Sequence, residues 1–501
     1  MGVGVGIFLL FAGQLAIGTS LPFASLVALY AVLTWTTVTI VNGPFTVSGF
    51  LITATAFVHV LLGQIVKTIL REPPDQALLA PNATLFVACL SMVGFLFAAI
   101  TLKSVKIDKW KTLLPEDLDI DRLRTLAIFL LIASSTTALI QFALSRPGVA
   151  QVGGFFTITR TLTRAYPLAV CLITAVSIKK KKRLLTYPVV YCIAFGLFLA
   201  TVNASRNEFL ESILMVILTC IFYLHKPKIG EVAILAFFLF FYQHYYTPYA
   251  LDQRGTLRAL PIHIRIPEAF RRLGTYVLER EKLVNRSDDA DARLPYDRRR
   301  TYYYTTIGKN ATLDRFTILP VMDSVIAQTI AKDPEGPATT IWGFKLVVPN
   351  VLYPEKPIQS TGNVLAQKGR GLVNPEDHVT QIAMGFTPDA LVSYGLSGVV
   401  GTYFFIGVIF LAVHRWMYGL TLINNSLGLG VILSAALTFS QGTIASQIQR
   451  ILLEAPGIGF FMLMLIWMVN SLTRRRTIGR MQSNVPTPPM VTPNRTGLVS
   501  E

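Results

Sequence analysis

Three arginines are the side chains of this sequence best suited to chemistry at a membrane surface. Arg160 and Arg164 are four residues apart, a spacing that puts both on one face of a helix. Arg206 lies in the polar segment 203–207. Because a guanidinium group offers phosphate oxygens a rigid fork of donors, the three together are suited to hold a lipid-linked diphosphate. The alternative is that they extend toward lipid headgroups.

The stretches of chain on either side of these arginines are apolar. Hydrophobic residues make up 52% of the 501 residues and charged residues 15%, whereas soluble proteins carry about 25% charged residues. A helix needs about 20 apolar residues to cross a bilayer. Candidate spans of roughly this kind lie at 3–18, 21–41, 49–70, 84–103, 125–145, 155–178, 185–202, 208–224, 231–247, 391–414, 418–440 and 455–472. The sequence therefore predicts an all-α polytopic membrane protein with about 12 spans, the first of them a span and not a cleaved signal peptide.

The basic residues predict the orientation of these spans. They gather in the segments 103–124, 179–183, 225–228 and 474–476, and short basic loops stay on the cytoplasmic side of a membrane. With twelve spans, all four segments fall on one side and both termini are cytoplasmic. This distribution explains the net charge of +17 without a nucleic-acid partner, since no basic stretch is interleaved with aromatic residues on a soluble domain. We expect a multi-pass protein of a bacterial inner membrane.

The longest polar segment, 248–390, falls on the outer side in this topology. It has 19 Lys and Arg against 16 Asp and Glu, and long loops cross the membrane regardless of charge. Its prolines and short amphipathic stretches, such as 265–283, predict short helices packed on the mouth of the membrane domain. The predicted organisation is nine spans in 1–247, a periplasmic loop in 248–390, three spans in 391–473 and a largely disordered cytoplasmic tail in 474–501.

The sequence predicts neither a metal site nor a cofactor. The four cysteines lie inside apolar runs and none lies in the large loop, so that loop has no disulfide framework. No cluster of Cys, His or carboxylates has the spacing of a metal site. His59 and Gln64, in the third span, are expected to be hydrogen-bond partners between helices.

Short motifs stand in and after the large loop. The first is the run 345–357, with Val348-Pro349, Tyr353-Pro354 and Lys356-Pro357. The second runs from Thr387-Pro388-Asp389 to the glycine-rich start of the tenth span at 394–398. Together with the Ser205-Arg206 step that opens the eighth span, these motifs resemble those of the O-antigen polymerase (Wzy-type) family. The resemblance covers roughly 200–415. Where many members have Gly-Glu before the tenth span, this chain has Asp389-Ala390-Leu391.

This resemblance implies a metal-independent glycosyltransferase that polymerises lipid-linked oligosaccharide repeat units into O-antigen or a related surface polysaccharide. It implies a fold similar to the type C membrane glycosyltransferases. The substrate would be an oligosaccharide on undecaprenyl diphosphate in the lipid bilayer, and further partners would be a chain-length regulator and a flippase. The growing chain would be transferred to the sugar of a new lipid-linked unit on the outer face of the inner membrane.

Three loop residues are candidates for a catalytic role in such a reaction. His378 is flanked by Glu376 and Asp377, and a neighbouring carboxylate raises the basicity of a histidine, so His378 is the candidate base for the acceptor hydroxyl. Lys356 and Arg370 are the candidate cations of the loop. The alternatives are that His378 is a solvated loop histidine and that Lys356 is a turn residue before a proline.

Two other functions share this span pattern. An O-antigen ligase has the same spans and large outer loop. A lipid-linked oligosaccharide transporter or flippase also suits twelve spans with both termini inside, although transporters often show two similar halves and this chain shows no internal repeat. The rim arginines and the motifs of the loop favour the polymerase.

Overall fold

The computed structural model describes residues 2–105, 111–114, 118–144, 162–163, 165–181, 183–258, 260–279, 317–348, 352–353, 361–369, 372, 382–419, 421–422 and 425–483. Within these ranges the chain is all-helical, as predicted. Its β-type pairing there is an isolated bridge between Thr46 and Thr421.

The helices of the amino-terminal part lie close to the predicted spans, except that the helix of the sixth span, predicted at 155–178, is described only from Tyr166. They are α1 (Gly2–Ala16), α2 (Leu21–Ile40), α3 (Val47–Ile69), α4 (Pro81–Ser104), α5 (Ile120–Leu144), α6 (Tyr166–Lys181), α7 (Tyr187–Asn203), α8 (Arg206–Phe222) and α9 (Ile229–Phe241). A π-helical turn interrupts α3 at Phe57–Leu61. A second π-helical turn, Tyr242–Tyr246, joins α9 to α10 (Thr247–Arg258).

The helices of the second part divide into loop helices and apolar helices. The loop helices are α11 (Ile262–Leu278), α12 (Leu319–Thr329), α13 (Ala338–Val347) and α14 (Thr361–Lys368). The apolar helices are α15 (Phe386–Tyr418), α16 (Ser426–Gln441), α17 (Ile444–Gln449) and α18 (Ala455–Ser483). The four loop helices lie in the segment 248–390, for which the sequence predicts short helices.

Six helical segments are long and apolar enough to cross a membrane, which identifies a membrane protein by length and composition. They are Leu21–Ile40, Val47–Ile69, Pro81–Ser104, Ile120–Phe142, Phe386–Tyr418 and Ile444–Ser471. The helices Gly2–Ala16, Tyr187–Asn203 and Ser426–Gln441 are apolar but shorter. The described part of the chain thus has six helices of sufficient length and apolar character, whereas the sequence predicts 12 spans. The difference arises because several apolar helices are only about four turns long.

The basic loops meet at one end of the helix bundle, which we call the basic end. Lys180 forms an ion pair of 2.7 Å with Asp121 at the start of α5. Lys179 donates to Ser426 at the start of α16 (3.2 Å), and Arg122 donates to Asn470 of α18 (3.2 Å). Described basic side chains at this end include Lys103, Lys111, Arg122, Arg124, Lys179, Lys180, Lys181, Arg183, Lys226 and Lys228.

The loop helices gather at the opposite end of the bundle, which we call the loop end. The backbone N–H of Ile318, just before α12, donates to the carbonyl of Val58 in the π-helical turn of α3 (3.1 Å). Helix α12 also packs against α4 and α15, and α13 packs against α17. Most of α12 is buried, including Leu319, Met322 and Ile326. The loop therefore enters the bundle more deeply than helices that merely cover its mouth.

Carboxylates fasten the helix starts to neighbouring segments. Asp323 of α12 accepts from the backbone N–H groups of Leu79 and Ala80 and from the hydroxyl of Thr84 at the start of α4. Three other carboxylates accept from backbone N–H groups in the same way. Asp75 accepts from Ser20 before α2, and Asp389 accepts from Ile444 at the start of α17. Glu231 accepts from Leu184 and Leu185 before α7. Such acceptors satisfy N–H groups that a helix start leaves unpaired, and they suit its positive dipole.

Asp323→Ala is expected to lower the stability of the protein. The change leaves two backbone N–H groups and one hydroxyl without their acceptor, and an orphaned buried donor costs about 1–3 kcal/mol. We expect a loss of at least about 2 kcal/mol, seen as a lower unfolding temperature of the purified protein in detergent. Asp323→Asn keeps one carbonyl oxygen as an acceptor and should lose less. An unchanged unfolding temperature for Asp323→Ala would contradict the role of this carboxylate.

The same carboxylate should give a pH dependence of defined sign. Burial raises the pKa of Asp323 above its ordinary value, and its three hydrogen bonds only partly oppose this. The folded state therefore holds the proton more tightly than the unfolded state, so the contribution to stability is largest at acidic pH and is lost as the pH rises. Relative to Asp323→Asn, the wild type should lose stability as the pH rises from 4 to 7.

Candidate functional site

The turn between α7 and α8 carries the one predicted site residue that lies within the described part of the chain. Ala204 adopts a left-handed conformation (φ 44°), and the N–H of Ser205 donates to the carbonyl of Ala200 (3.0 Å). These features end α7 and let α8 begin at once with Arg206. The start of α8 is where the sequence predicts it. The side chain of Arg206 is only 7% exposed, which differs from the expected location at a solvated rim.

Two buried tyrosines hold this turn in place. The hydroxyl of Tyr246 donates to the carbonyl of Ser205 (2.9 Å). The hydroxyl of Tyr249 lies 3.0 Å from the carbonyl of Thr201 and 3.0 Å from that of Ala269 in α11. Both tyrosine side chains are fully buried, and their spacing of three puts them on one helix face. The turn before Arg206 is thereby fixed to both α9–α10 and α11.

Helix α11 adds further arginines near this turn. Arg265 is buried, donates from Nε and Nη2 to the carbonyl of Leu260 (3.1 and 2.8 Å), and lies over the ring of Phe142 at 5.6 Å. Arg271 and Arg272 both donate to Glu268. These hydrogen bonds lower the pKa of Glu268 to about 2, so Glu268 is ionised at neutral pH. The three arginines outnumber this one carboxylate, which leaves α11 with a positive balance.

The electrostatics of the turn favour an anion. Arg206 occupies the first position of α8, where the helix dipole is positive and backbone N–H groups point outward. A cation placed there gains nothing from the dipole, whereas a bound anion gains from both the dipole and the guanidinium group. Glu208 is the acidic residue of the same first turn. Arg206 is therefore a buried cation at a helix start, a position that the dipole does not favour for a cation.

A second polar junction lies where α3, α15 and α16 meet. His59, in the π-helical turn of α3, is fully buried and forms a hydrogen bond of 2.7 Å with the carbonyl of Ser440. Gln64 accepts from Gln14 of α1 (3.0 Å). The prediction that His59 and Gln64 are partners between helices is confirmed. The backbone N–H of Gly385 donates to the carbonyl of Gln441 (3.2 Å), which joins the start of α15 to the same junction.

Asp389 belongs to this junction as a structural residue. Its side chain is fully buried and accepts from the backbone N–H of Ile444 (2.8 Å). Thr443, which precedes α17, is joined to Thr361 of α14 by a hydrogen bond of 2.6 Å between their hydroxyls. The carboxylate thus caps a helix at the position where the sequence departs from the Gly-Glu pattern.

The other predicted site residues lie outside the described residues. These are the substrate-binding candidates Arg160 and Arg164 and the catalytic candidates Lys356, Arg370 and His378. Thr163, next to Arg164 in the sequence, is described. Its hydroxyl donates to the hydroxyl of Thr137, toward the loop end of α5 (3.3 Å). Within the described ranges, no group of three or more His, Cys, Asp and Glu is arranged to hold a metal ion. The four cysteines are buried free thiols.

Sequence reasoning missed Arg265, Tyr246 and Tyr249. A signal for Arg265 was present, because it precedes Ala269, Leu273 and Tyr276 at helical spacing and so falls on the buried face of α11. The two tyrosines gave no comparable signal, since aromatic residues are common at the ends of membrane helices. Their role depends on a contact between distant parts of the chain.

Comparison of the chain with protein-family models, with curated proteins and with solved structures found no match.

Proposed function

We propose that this protein polymerises undecaprenyl-diphosphate-linked oligosaccharide repeat units on the outer face of a bacterial inner membrane. The observation that carries the proposal is the separation of charge and loops between the two ends of the bundle. The basic loops meet at one end, and the arginine-bearing turn before α8 lies with the loop helices at the other. A membrane enzyme that takes a lipid-linked diphosphate from the outer leaflet needs such an arrangement.

The proposed orientation puts the basic end in the cytoplasm. The helices α1 to α8 alternate in direction between the two ends, as do the joined pair α9–α10, then α15, α16 and the joined pair α17–α18. We propose that all twelve passes cross the membrane, the shorter ones where the bilayer or neighbouring helices accommodate them. Both termini would then be cytoplasmic, and the loop helices α11 to α14 would lie on the periplasmic side.

The proposed reaction transfers the growing glycan from one lipid carrier to the next. The bond between the anomeric carbon of the donor and the diphosphate oxygen breaks, and a bond from that carbon to the acceptor hydroxyl oxygen forms. Undecaprenyl diphosphate leaves with the bonding electron pair, and the acceptor proton passes to a base, for which His378 is the candidate. Arg160, Arg164 and Arg206 stabilise the charge that develops on the diphosphate. Lys356 and Arg370 are the further candidate cations.

A deletion strain separates this function from its two rivals. If the protein is a polymerase, the strain makes lipopolysaccharide or capsule with a single repeat unit in place of the polymer ladder. Long unattached chains would instead identify a ligase, and loss of all outer product would identify a flippase. Either of these outcomes would overturn the proposal.

The topology gives a prediction of its own. In a background without the four native cysteines, Arg300→Cys should react with a membrane-impermeant maleimide added from the periplasmic side. Lys181→Cys should react only after the cytoplasmic side is opened, because it lies in the basic end. Labelling of position 300 only from the cytoplasm would put the loop on the wrong side for a lipid-linked donor in the outer leaflet.

Activity should not depend on a divalent metal ion. The proposed site neutralises the leaving diphosphate with arginines, and the sequence offers no cluster of hard-cation ligands at a suitable spacing. Polymer synthesis by the purified protein should therefore continue in EDTA at about its original rate. Loss of synthesis in EDTA and its recovery with magnesium or manganese would require a ligand set that the proposal lacks.

A further inference from the structure

Helix α11 has three faces of different chemical character. The buried face packs on α7 and α10 and consists of Ala269, Leu273 and Tyr276. A second face, which we call the apolar edge, consists of Ile266, Phe270 and Val277. A third face, which we call the polar edge, consists of Glu268, Arg272 and Thr275. At about 3.6 residues per turn, the two edges lie on nearly opposite sides of the helix.

The apolar edge is largely uncovered by the described part of the chain. Phe270 is 44% exposed and Val277 is 39% exposed, while Ile266 is half-buried. Leu278, at the end of the helix, is also exposed. Single exposed apolar side chains are common on soluble proteins, so the exposure alone does not identify what covers this edge.

The apolar edge continues an outward-facing surface of α7. The ring of Phe270 stacks on that of Phe198 with 6.1 Å between centroids and 28° between planes. Phe198 belongs to a row of α7 residues at helical spacing, which consists of Tyr187, Tyr191, Ala194 and Phe198. Tyr187 and Tyr191 of this row are 93% and 49% exposed. Since α7 is a membrane pass in the proposed topology, the row faces hydrocarbon, and the apolar edge extends the same surface at the loop end.

The polar edge carries charges that are costly to remove from water. Glu268 accepts from Arg271 at 2.6 Å and from Arg272 at 2.7 Å. Arg272 also donates to the hydroxyl of Thr256 in α10 (2.9 Å). These hydrogen bonds hold Glu268 and Arg272 on the side of α11 away from the apolar edge. A helix with one apolar and one charged side suits the boundary between lipid headgroups and acyl chains.

We propose that α11 is an interfacial helix whose apolar edge lies among the phospholipid acyl chains at the loop end of the bundle. In the proposed orientation this is the outer leaflet. The bilayer itself covers the edge, so the arrangement requires no selective lipid site. The inference rests on α7 being a membrane pass and not on the polymerase reaction.

An interfacial α11 sets the level of the turn before Arg206. The hydroxyl of Tyr249 lies 3.0 Å from the carbonyl of Thr201, in the last turn of α7, and 3.0 Å from that of Ala269. Ala269 directly precedes Phe270, so this link joins the turn to the part of α11 at the lipid boundary. The turn before Arg206 therefore lies near the level of the phospholipid phosphate groups, where the diphosphate of a lipid-linked donor also lies.

Spin labels on the two edges of α11 test this inference. The full-length protein is reconstituted in phospholipid nanodiscs, and a nitroxide is attached to Val277→Cys on the apolar edge. The matched control is Thr275→Cys, two residues earlier on the polar edge. The four native cysteines are buried and stay in place, with the unmutated protein as the labelling background. Phe405→Cys, at a position 65% exposed on α15, is the lipid reference.

The measurement is the accessibility of each label to two relaxation agents. Oxygen concentrates in hydrocarbon, whereas a neutral nickel chelate stays in water. The ratio of oxygen to nickel accessibility should be severalfold higher at Val277→Cys than at Thr275→Cys, and close to that at Phe405→Cys. Phe270→Cys should behave like Val277→Cys. If it unfolds, Val277→Cys decides the result, because that variant keeps the stack of Phe270 on Phe198.

Two results would overturn the inference. Equal ratios at positions 275 and 277 would put α11 in water, and exclusion of both agents at position 277 would mean that protein covers the apolar edge. The measurement contains no oligosaccharide, so it is independent of polymerisation. Lipid contact in a protein that makes no polymer counts against the polymerase alone, and polymer synthesis without lipid contact counts against the interfacial helix alone.

Discussion

Arg206→Ala is expected to abolish or greatly shorten the polymer, and Arg160→Ala and Arg164→Ala are expected to do the same. The glycosidic bond breaks with development of charge on the diphosphate, and fixed donors stabilise that charge more in the transition state than in the ground state. Removing one such donor typically costs about 2.7–4 kcal/mol, or roughly 10²–10³ in kcat. The measurement is the length distribution of polysaccharide made by each variant in a deletion strain.

Conservative and remote variants control this experiment. Arg→Lys at each position should retain partial activity at best, because lysine lacks the fork that binds two oxygens at once. Arg299→Ala, elsewhere in the large loop, should be near neutral. Since Arg206 is buried, its alanine variant must also be checked for expression and unfolding temperature. Wild-type polymer from all three alanine variants would mean that the diphosphate is held elsewhere, with Lys356 and Arg370 the next candidates.

Gly385→Ala is expected to disrupt the junction at the start of α15. Gly385 has φ 70°, and an added Cβ would lie 2.9 Å from Nε2 of His59 and 2.8 Å from Cδ1 of Ile318. With ψ at 171°, this backbone conformation is essentially restricted to glycine and costs an L-residue about 1–3 kcal/mol. The contact with His59 adds to this cost, because the imidazole is held by the carbonyl of Ser440 (2.7 Å). We expect a loss of more than about 2 kcal/mol in the free energy of unfolding.

Gly401→Ala is the matched control for that variant. Gly401 lies inside α15, the helix that Gly385 precedes, and no heavy atom lies within 4 Å of its added Cβ. Alanine within a helix is favoured over glycine by about 0.5–1 kcal/mol, so this variant should be neutral or slightly stabilised. Thermal unfolding in detergent compares the two. Equal unfolding temperatures for Gly385→Ala and the wild type would contradict the proposed packing of α15 on His59.

The sequence predicted the apolar helices well, because hydrophobic length is a local property. The expected start of the eighth span agrees with α8, which begins at Arg206. The expected tenth span, 391–414, lies inside the longer α15, which begins at Phe386 and kinks at Gly395 (φ 72°). That kink and the π-helical turns depend on packing between distant helices, which composition does not reveal.

The candidate site was only partly predictable. Arg206 could be singled out because a charge at a helix start in an apolar region is unusual. The anchoring of the turn before it could not be predicted, since that depends on Tyr246 and Tyr249, which are about 40 residues away along the chain. The depth of α12 was likewise unpredictable, because the capping of α4 by Asp323 joins segments about 240 residues apart. Local patterns identify the charged residues, whereas tertiary contacts decide what surrounds them.

Synthesis of polymer by the purified protein is the most direct test of the proposed function. The full-length protein is reconstituted in liposomes and given one synthetic substrate, an oligosaccharide repeat unit on undecaprenyl diphosphate. The account predicts a ladder of products that differ by one repeat unit, together with release of undecaprenyl diphosphate. Unchanged substrate, with an active preparation of a known polymerase as the positive control, would contradict it.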